Sequence, residues 1–527
     1  MHETIPFSQT GLLPKIVSDY LHSAESLSSF YQYQPNRESI SAAIAARKNY
    51  VVDRALLAKS LTNQYAGYQL ADAVKNNIDR LAAEHTFTVT TAHQPNLLCG
   101  PIYLIHKIAS IIKVAQELNA TLQGAHIVPV FWMGTEDHDK EELAHIHLFG
   151  KKISWNTSQQ GAFGRFRLHD IDSFKQEVFD ILGTDEKAHA IQRWLEKHYF
   201  QYETISQATR GLLNDLFGDY GLIIIDGDTP ELKQAFKPVL LDELRNGQSA
   251  KRVQETMDRL RGAQYNIQAV PRAINLFYLT EGGRSRIQKI DNMFIAGDQT
   301  FTSEEMIREV QSYPERFSPN VMLRPLYQAM LLPDIMIAGG AAEVAYHLQL
   351  KTLFESYRLH VPMLMLRDMA IYTNIQQRQR LDKYGFTVSA LFRSASQLAD
   401  LFIHKYGTTP IDIISETDSI NNTYASLLSR AEKSDPTLKG FVEAEHKKAI
   451  QSLEAIRDKM RKSEKRKLDE GIKQIVRIKD TLMPGDVLHE RIDNFLPYYL
   501  IRGSTYIQTL IQAFHIWDQQ LKVVHFD

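Results

Sequence analysis

The chain has 527 residues, 44% of them hydrophobic and 23% charged, with a formal net charge of −2 and a pI of about 6.8. That balance describes an ordinary globular protein and gives no global electrostatic case for nucleic acid. No run is long enough to span a bilayer, Met1–Ile5 lacks a signal-peptide pattern, and the single cysteine, Cys99, excludes an intrachain disulfide and a cysteine zinc cluster; a reducing cytoplasm is the expected compartment.

Residues 1–85 read as a helical part packing on the core, with apolar residues at helix spacing in Ile40–Arg47, Ala55–Gln64 and Ala71–Ala83. Thr86–Thr91 alternates and is rich in β-branched residues, so it reads as a strand. A loop, His93–Leu98, follows, and Gly100-Pro101 is expected to open a helix running to about Leu118. His126–Trp132 is a nearly unbroken apolar run, as in a strand covered on both faces. Strand, helix, strand predicts a right-handed crossover and a parallel α/β sheet, whose ligands sit beyond the carboxyl ends of the strands. Residues 86–145 are therefore the first part of a core.

Residues 146–220 read as an insertion: hairpin material over Ala144–Trp155, a loop and strand after Gly161, then helices over Ile171–Gly218. Leu222–Asp226 is another buried strand, so 221–230 is expected to rejoin the sheet. A second insertion, 231–318, has helices over Glu231–Arg261 and a small β-rich unit from Ile267. The core resumes over 319–375: a helix from Pro319, a strand from Asp334, the turn Gly339-Gly340, a helix over Ala341–Tyr357, and a strand at Pro362–Arg367. Residues 376–483 are helical and highly charged. Ile450, Leu453, Ile456, Met460, Leu468, Ile472, Ile475 and Leu482 form an intermittent seam near coiled-coil spacing. Residues 484–527 are expected to return to the body.

Two strand ends are crowded with polar groups. At the first, His93, Gln94, Asn96, Gly100, Tyr103 and Lys107 surround a glycine turn before a helix, a ready anion site or an ordinary strand–helix turn. Neither named nucleotide fingerprint is present. At the second, Glu136, Asp137, His138 and Asp139 could supply acid–base groups, hydrogen bonds to an amine or magnesium ligands, or form a solvated helix start. Gly339-Gly340 with Glu343 and Tyr346 repeats the strand–glycine–helix grammar, as a second ligand turn or only a tight one. His138, Glu142, His145 and His147 lack zincin spacing and read as structural, so no metal site is expected. Cys99 reads as a small buried hydrophobe.

The run Thr91-Ala-His-Gln-Pro-Asn-Leu-Leu-Cys-Gly-Pro-Ile-Tyr-Leu-Ile-His-Lys107 resembles the Thr-Gly-Gln-Gln-x-x-Leu-x-x-Gly-Pro-x-Tyr-x-x-x-Lys of the bacillithiol biosynthesis cysteine-adding enzymes, the BshC family. Val130-Phe-Trp-Met-Gly-Thr-Glu-Asp-His-Asp139 resembles its second motif. Gly339–Tyr346 and the stretch from Pro484 through Glu490-Arg491 to Pro497 match further on. His93, Pro95 and Cys99 depart from the family pattern. The resemblance implies a Rossmann-like core with two connecting-peptide insertions, a coiled coil forming a homodimer, and ligation of cysteine to glucosamine-malate. Carboxyl activation then calls for ATP with Mg2+. Lys107 and the Gly100 turn would hold developing negative charge. A group of Glu136–Asp139 would handle the amine, and Arg324 with Gly339, Gly340 and Glu343 would bind malyl carboxylates. No nucleic acid or membrane partner is expected. The competing readings are a nucleotidyl- or glycosyl-transferase using the same crevice, and a non-catalytic coiled-coil ligand-binding protein.

Overall fold

The computed structural model describes residues 3–408 and 410–526. They divide into two compact units, Met1–Tyr372 with His489–Val524, and Thr373–Leu488 with His525–Asp527.

The first unit is built on five parallel strands: β1 (Thr86–His93), β2 (His126–Met133), β3 (Ile223–Asp226), β4 (Asp334–Gly339) and β5 (Met363–Leu366). Their spatial order is β5-β4-β1-β2-β3. The chain therefore lays β2 and β3 on one side of β1, then crosses to lay β4 and β5 on the other. That reversal leaves a crevice beyond the carboxyl ends of β1 and β4, the usual place for a ligand in such a sheet. Helices α1 (Tyr103–Asn119), α2 (Pro230–Asn246), α3 (Arg324–Leu331) and α4 (Ala341–His347) surround it.

Two of the buried threonines of β1, Thr88 and Thr90, serve Asp334 of β4. The hydroxyls of Thr88 and Thr90 both donate to its carboxylate, and Gln328 Nε2 donates at 2.7 Å. A carboxylate out of water is tolerated only with such partners, so this cluster pins β4 beside β1.

Several expectations need correcting. Helix α1 starts at Tyr103, not at Gly100. A 3-10 turn, Leu97–Cys99, precedes it, with Leu98 and Cys99 at φ 47° and 52°. Gly100 itself has an ordinary φ of −89°. Glycine is required there for space: a Cβ would stand 2.4 Å from Asn494 Nδ2. No strand follows Gly161; Phe163–Arg165 is a 3-10 turn, and Arg167 makes a single bridge to Thr204. Pro319 ends a strand, Phe317–Pro319, and the helix resumes only at Arg324. The helix expected through Tyr357 breaks into α4 and Lys351–Ser356. Glu3–Pro6, within the part read as helical, is a strand pairing antiparallel with Gln520–His525.

The second insertion carries an antiparallel five-stranded sheet made from Leu276–Thr280, Gly283–Ile290, Met293–Ala296, Gln299–Thr302 and Phe317–Pro319. In the second unit, Ile414–Ser434 and Lys439–Lys467 form a helical hairpin. It is stitched by His446 and Asn421 at 2.8 Å and by stacking of Tyr424 on His446. The expected long helix breaks at Leu468. Its second part, Asp469–Leu482, buries Ile472, Ile475, Ile478 and Leu482, whereas Ile414–Ser434 buries nothing. No helix among the described residues is long and apolar enough to cross a membrane.

Candidate functional site

The crevice brings together the two glycine turns that sequence spacing singled out. Lys107 of α1 and Glu343 of α4 form an ion pair of 2.6 Å, with the lysine only 3% exposed. Lys107 also donates to Ala92 O at 2.8 Å. Burial lowers the Lys107 pKa, against the pull of Glu343. Burial opposes ionisation of Glu343 too, but the Lys107 ammonium and the Gly340 amide outweigh it and hold its carboxyl at about 2. His93 packs its ring 4.9 Å from Tyr103. Burial, reinforced by Lys107, keeps His93 neutral, and its Nε2 is buried without a partner.

These contacts redirect the anion reading of both turns. The Gly340 amide already donates to Glu343 Oε2 at 2.8 Å, and the Ile102 amide at the start of α1 donates to Asp493 O at 2.8 Å. Lys107 is committed to Glu343. One amide at each turn, Ile102 N after Gly100 and Gly340 N, is thus already engaged within the protein. Arg324 is different. It donates to Gln328 Oε1 at 2.8 Å and to the Tyr346 hydroxyl at 3.4 Å, both neutral, and makes no ion pair among the described residues. It is a guanidinium still able to take a carboxylate.

The end of β2 meets the end of β1 directly: Gly134 N donates to His93 O at 2.7 Å, and Gln94 Nε2 donates to Asp137 Oδ2 at 2.9 Å. Beyond that junction the four polar residues take four different positions. Glu136 accepts from Lys233 of α2, a lysine with no exposed surface that also donates to Phe317 O at 2.6 Å. Asp139 caps the short helix Lys140–Leu143 by accepting from Glu142 N. Asp137 is half-buried, its Oδ1 accepting from His138 N at 2.7 Å and its Oδ2 from Gln94, and His138 is exposed. Arg284 of the second insertion lies against both: Nη1 is 3.3 Å from His138 Nδ1 and 3.8 Å from Asp137 Oδ1. Ser318 Oγ and Pro319 O fix the guanidinium, and the Phe277 ring stacks beneath it. Burial and Arg284 lower the His138 pKa, so the imidazole is neutral near pH 7. With Arg284 donating to Nδ1, the proton sits on Nε2.

A cavity of about 170 Å3 opens beside the start of α1. Asn96, Tyr103, Glu142, His145, His147 and Arg491 are among its lining residues. The stretch 489–494 closes one wall, and its placement is fixed from below. Glu490, buried, accepts from Arg367 Nη2 at 2.5 Å and pairs with His106 Nδ1 at 2.6 Å. Although burial opposes it, the Arg367 and His106 partners drive the Glu490 pKa well below the carboxylate range. Arg367 N in turn donates to Gly339 O at 2.8 Å, which ties this network to the crevice. Spacing did not reveal Lys233, Arg284 or Arg367, which are single residues in unremarkable contexts. Glu490-Arg491 stood within a family match but carried no local chemical signal.

The whole chain matches two family descriptions. Residues 1–368 match "Bacillithiol biosynthesis BshC, N-terminal Rossmann-like domain" and residues 370–526 match "Bacillithiol biosynthesis BshC, C-terminal coiled-coil domain". The chain belongs to the BshC family. Its relatives include proteins of Flavobacterium johnsoniae, 33% identical over 99% of both chains, and Cytophaga hutchinsonii, 36% identical over 97% of this chain and 96% of that one. Each bears the name "Putative cysteine ligase BshC". Family membership agrees with the Rossmann-like sheet and the helical second unit described above.

Proposed function

We propose that this BshC-family chain is a ligase that joins the carboxyl group of L-cysteine to the amine of glucosamine-malate, the last step of bacillithiol biosynthesis. The names of its relatives support the reaction class. The observation that carries the reading is the division of labour at the end of β2. Glu136 pairs with Lys233 and Asp139 caps a helix, while Asp137 and His138 lie together against Arg284, with Asp137 oriented by Gln94 and the His138 amide.

Amide formation requires a base for the amine and a donor for the oxygen that becomes negative. In this proposal Asp137 takes the amine proton, and the Nε2–H of His138 donates to the tetrahedral oxyanion. Arg284 keeps that imidazole neutral and in the right tautomer. Lys107 and Glu343 act as a strut that sets the distance between β1 and β4, and Arg324 takes a malyl carboxylate. The cysteine carboxyl must be activated first: ATP with Mg2+ would supply an acyl adenylate or acyl phosphate, whose AMP or phosphate leaves as the tetrahedral oxyanion collapses to the amide. Two copies pair through the second unit: Ile414–Ser434 buries no residue, and Ile414, Phe441 and Ile456 are more than half exposed.

The test is purified protein with cysteine, glucosamine-malate and ATP–Mg2+, read by mass spectrometry. The expected result is the amide product. Absence of product with every nucleotide supplied overturns the proposal.

A further inference from the structure

The cavity beside α1 is chemically two-ended. Arg491 reaches it with a guanidinium that makes no ion pair among the described residues, lying 5.7 Å from the centre of the Tyr103 ring. Glu142 reaches it with a carboxylate that likewise has no cationic partner within 4 Å. The two share the cavity without pairing, so the chain holds a positive and a negative group apart across a small space. Asn96 lines the same cavity, is 3% exposed, and its Oδ1 is buried with no hydrogen-bond partner. His145 donates from Nδ1 to Glu141 O at 2.9 Å, which leaves Nε2 as an acceptor. Burial lowers the pKa of His145 and of His147, so both contribute hydrogen bonds without charge.

We infer that this cavity is the amino-acid subsite, binding a compact zwitterion with its carboxylate on Arg491 and its ammonium on Glu142 and Asn96 Oδ1. The inference rests on the ligase reading for the identity of the zwitterion, L-cysteine. The geometry matches that class. A space of about 170 Å3 accommodates a small amino acid. A lone anion would meet Glu142, and a lone cation would meet Arg491. Burial, with Asp139 and Asp137 close by, raises the Glu142 pKa against the pull of Arg491 across the cavity. The Glu490–Arg367 and Glu490–His106 pairs make Glu490 a positioning residue, because they fix the backbone from which Arg491 extends.

The test is calorimetric titration of the intact protein, under reducing conditions, with L-cysteine, cysteamine (no carboxylate) and 3-mercaptopropionate (no ammonium). Wild-type protein is expected to prefer cysteine to both analogues. Arg491→Gln should weaken cysteine binding at least tenfold and abolish the preference over cysteamine. Glu142→Gln should do the same for the preference over 3-mercaptopropionate. Circular dichroism checks that each variant is folded, and the loss of one preference with retention of the other is a pattern that misfolding cannot produce. Equal affinity for the three compounds, or unchanged preferences in both variants, overturns the subsite. If amide product forms under those circumstances, the subsite alone fails. If no product forms and cysteine does not bind, the ligase reading fails with it.

Discussion

Lys107 and Glu343 meet at 2.6 Å across the point where the strand order reverses. One comes from the helix after β1 and the other from the helix after β4, so a single ion pair ties the two halves of the sheet together. Removing one partner leaves a buried charge uncompensated, which costs about 3–5 kcal/mol. Lys107→Met and Glu343→Gln are each expected to lower the unfolding free energy by about that amount in urea titrations. The double variant should lose less than the sum of the two, which is the signature of a direct pair.

Gly100→Ala tests the close approach of the returning stretch. The new methyl group would collide with Asn494 Nδ2, which is itself held by Leu98 O at 3.2 Å. Overpacking of this kind costs about 1–3 kcal/mol. Adding Asn494→Ala should make the glycine substitution nearly neutral. Melting temperatures of the two single variants and the double variant decide the point.

The four residues Glu136–Asp139 should separate by phenotype. Asp137→Asn is expected to lower kcat by about 10²–10⁴, with the protein still folded. Asp139→Ala should cost about 1 kcal/mol of stability through the lost cap. Glu136→Gln should lower stability, because Lys233 would then be buried without its counter-ion. Product assays run beside thermal melts distinguish the three.

Acid should loosen the crevice before the rest of the sheet. The Glu343 carboxyl sits at about 2, below the 4.5 of a free side chain, so its contribution is complete above about pH 4.5 and is lost as pH falls from there towards 2. His347, held at about 4 by burial and Arg324, contributes above about pH 6.5 and loses that contribution as pH falls towards 4. Both act in the same direction. Stability measured from pH 7 to pH 3 should decline in two stages, and Glu343→Gln should reduce the lower one, to which Glu490 also contributes.

Phe441 and Ile456 are 65% and 53% exposed on the hairpin of the second unit. If the second unit pairs two copies, the wild-type chain is expected to sediment as a dimer and Phe441→Glu with Ile456→Glu as a monomer in sedimentation velocity.

The core was legible because its signals are local. The apolar run at His126–Trp132 and the β-branched run at Thr86–Thr91 each specify a strand without reference to anything distant. That the two polar strand ends face one crevice followed from their being neighbours in a parallel sheet, but the hydrogen bond from Gln94 to Asp137 did not. What could not be read was long-range. Gly100 looked like a residue chosen for backbone freedom, and only the arrival of Asn494 shows that it is chosen for its lack of volume. Lys233 and Arg284 gave no sign of their roles, because each acts through a partner roughly 100 or more positions away. Nor did spacing reveal that Glu343 would accept from the Gly340 amide and pair with Lys107 across the crevice.

The wall formed by 489–494 lies about 390 positions after the Gly100 turn it closes. At about 5–20 residues per second of synthesis, the two sides of the cavity are made roughly 20–80 s apart. During that interval His106 exists without Glu490, joined by Arg367 for the last 123 positions or so, and the start of α1 lacks the carbonyl that caps it. The nascent core must carry its charged interior in water until the whole second unit has been made. Binding competence therefore appears abruptly, as a late event of biosynthesis, and a chain interrupted before residue 489 has the sheet but no amino-acid cavity.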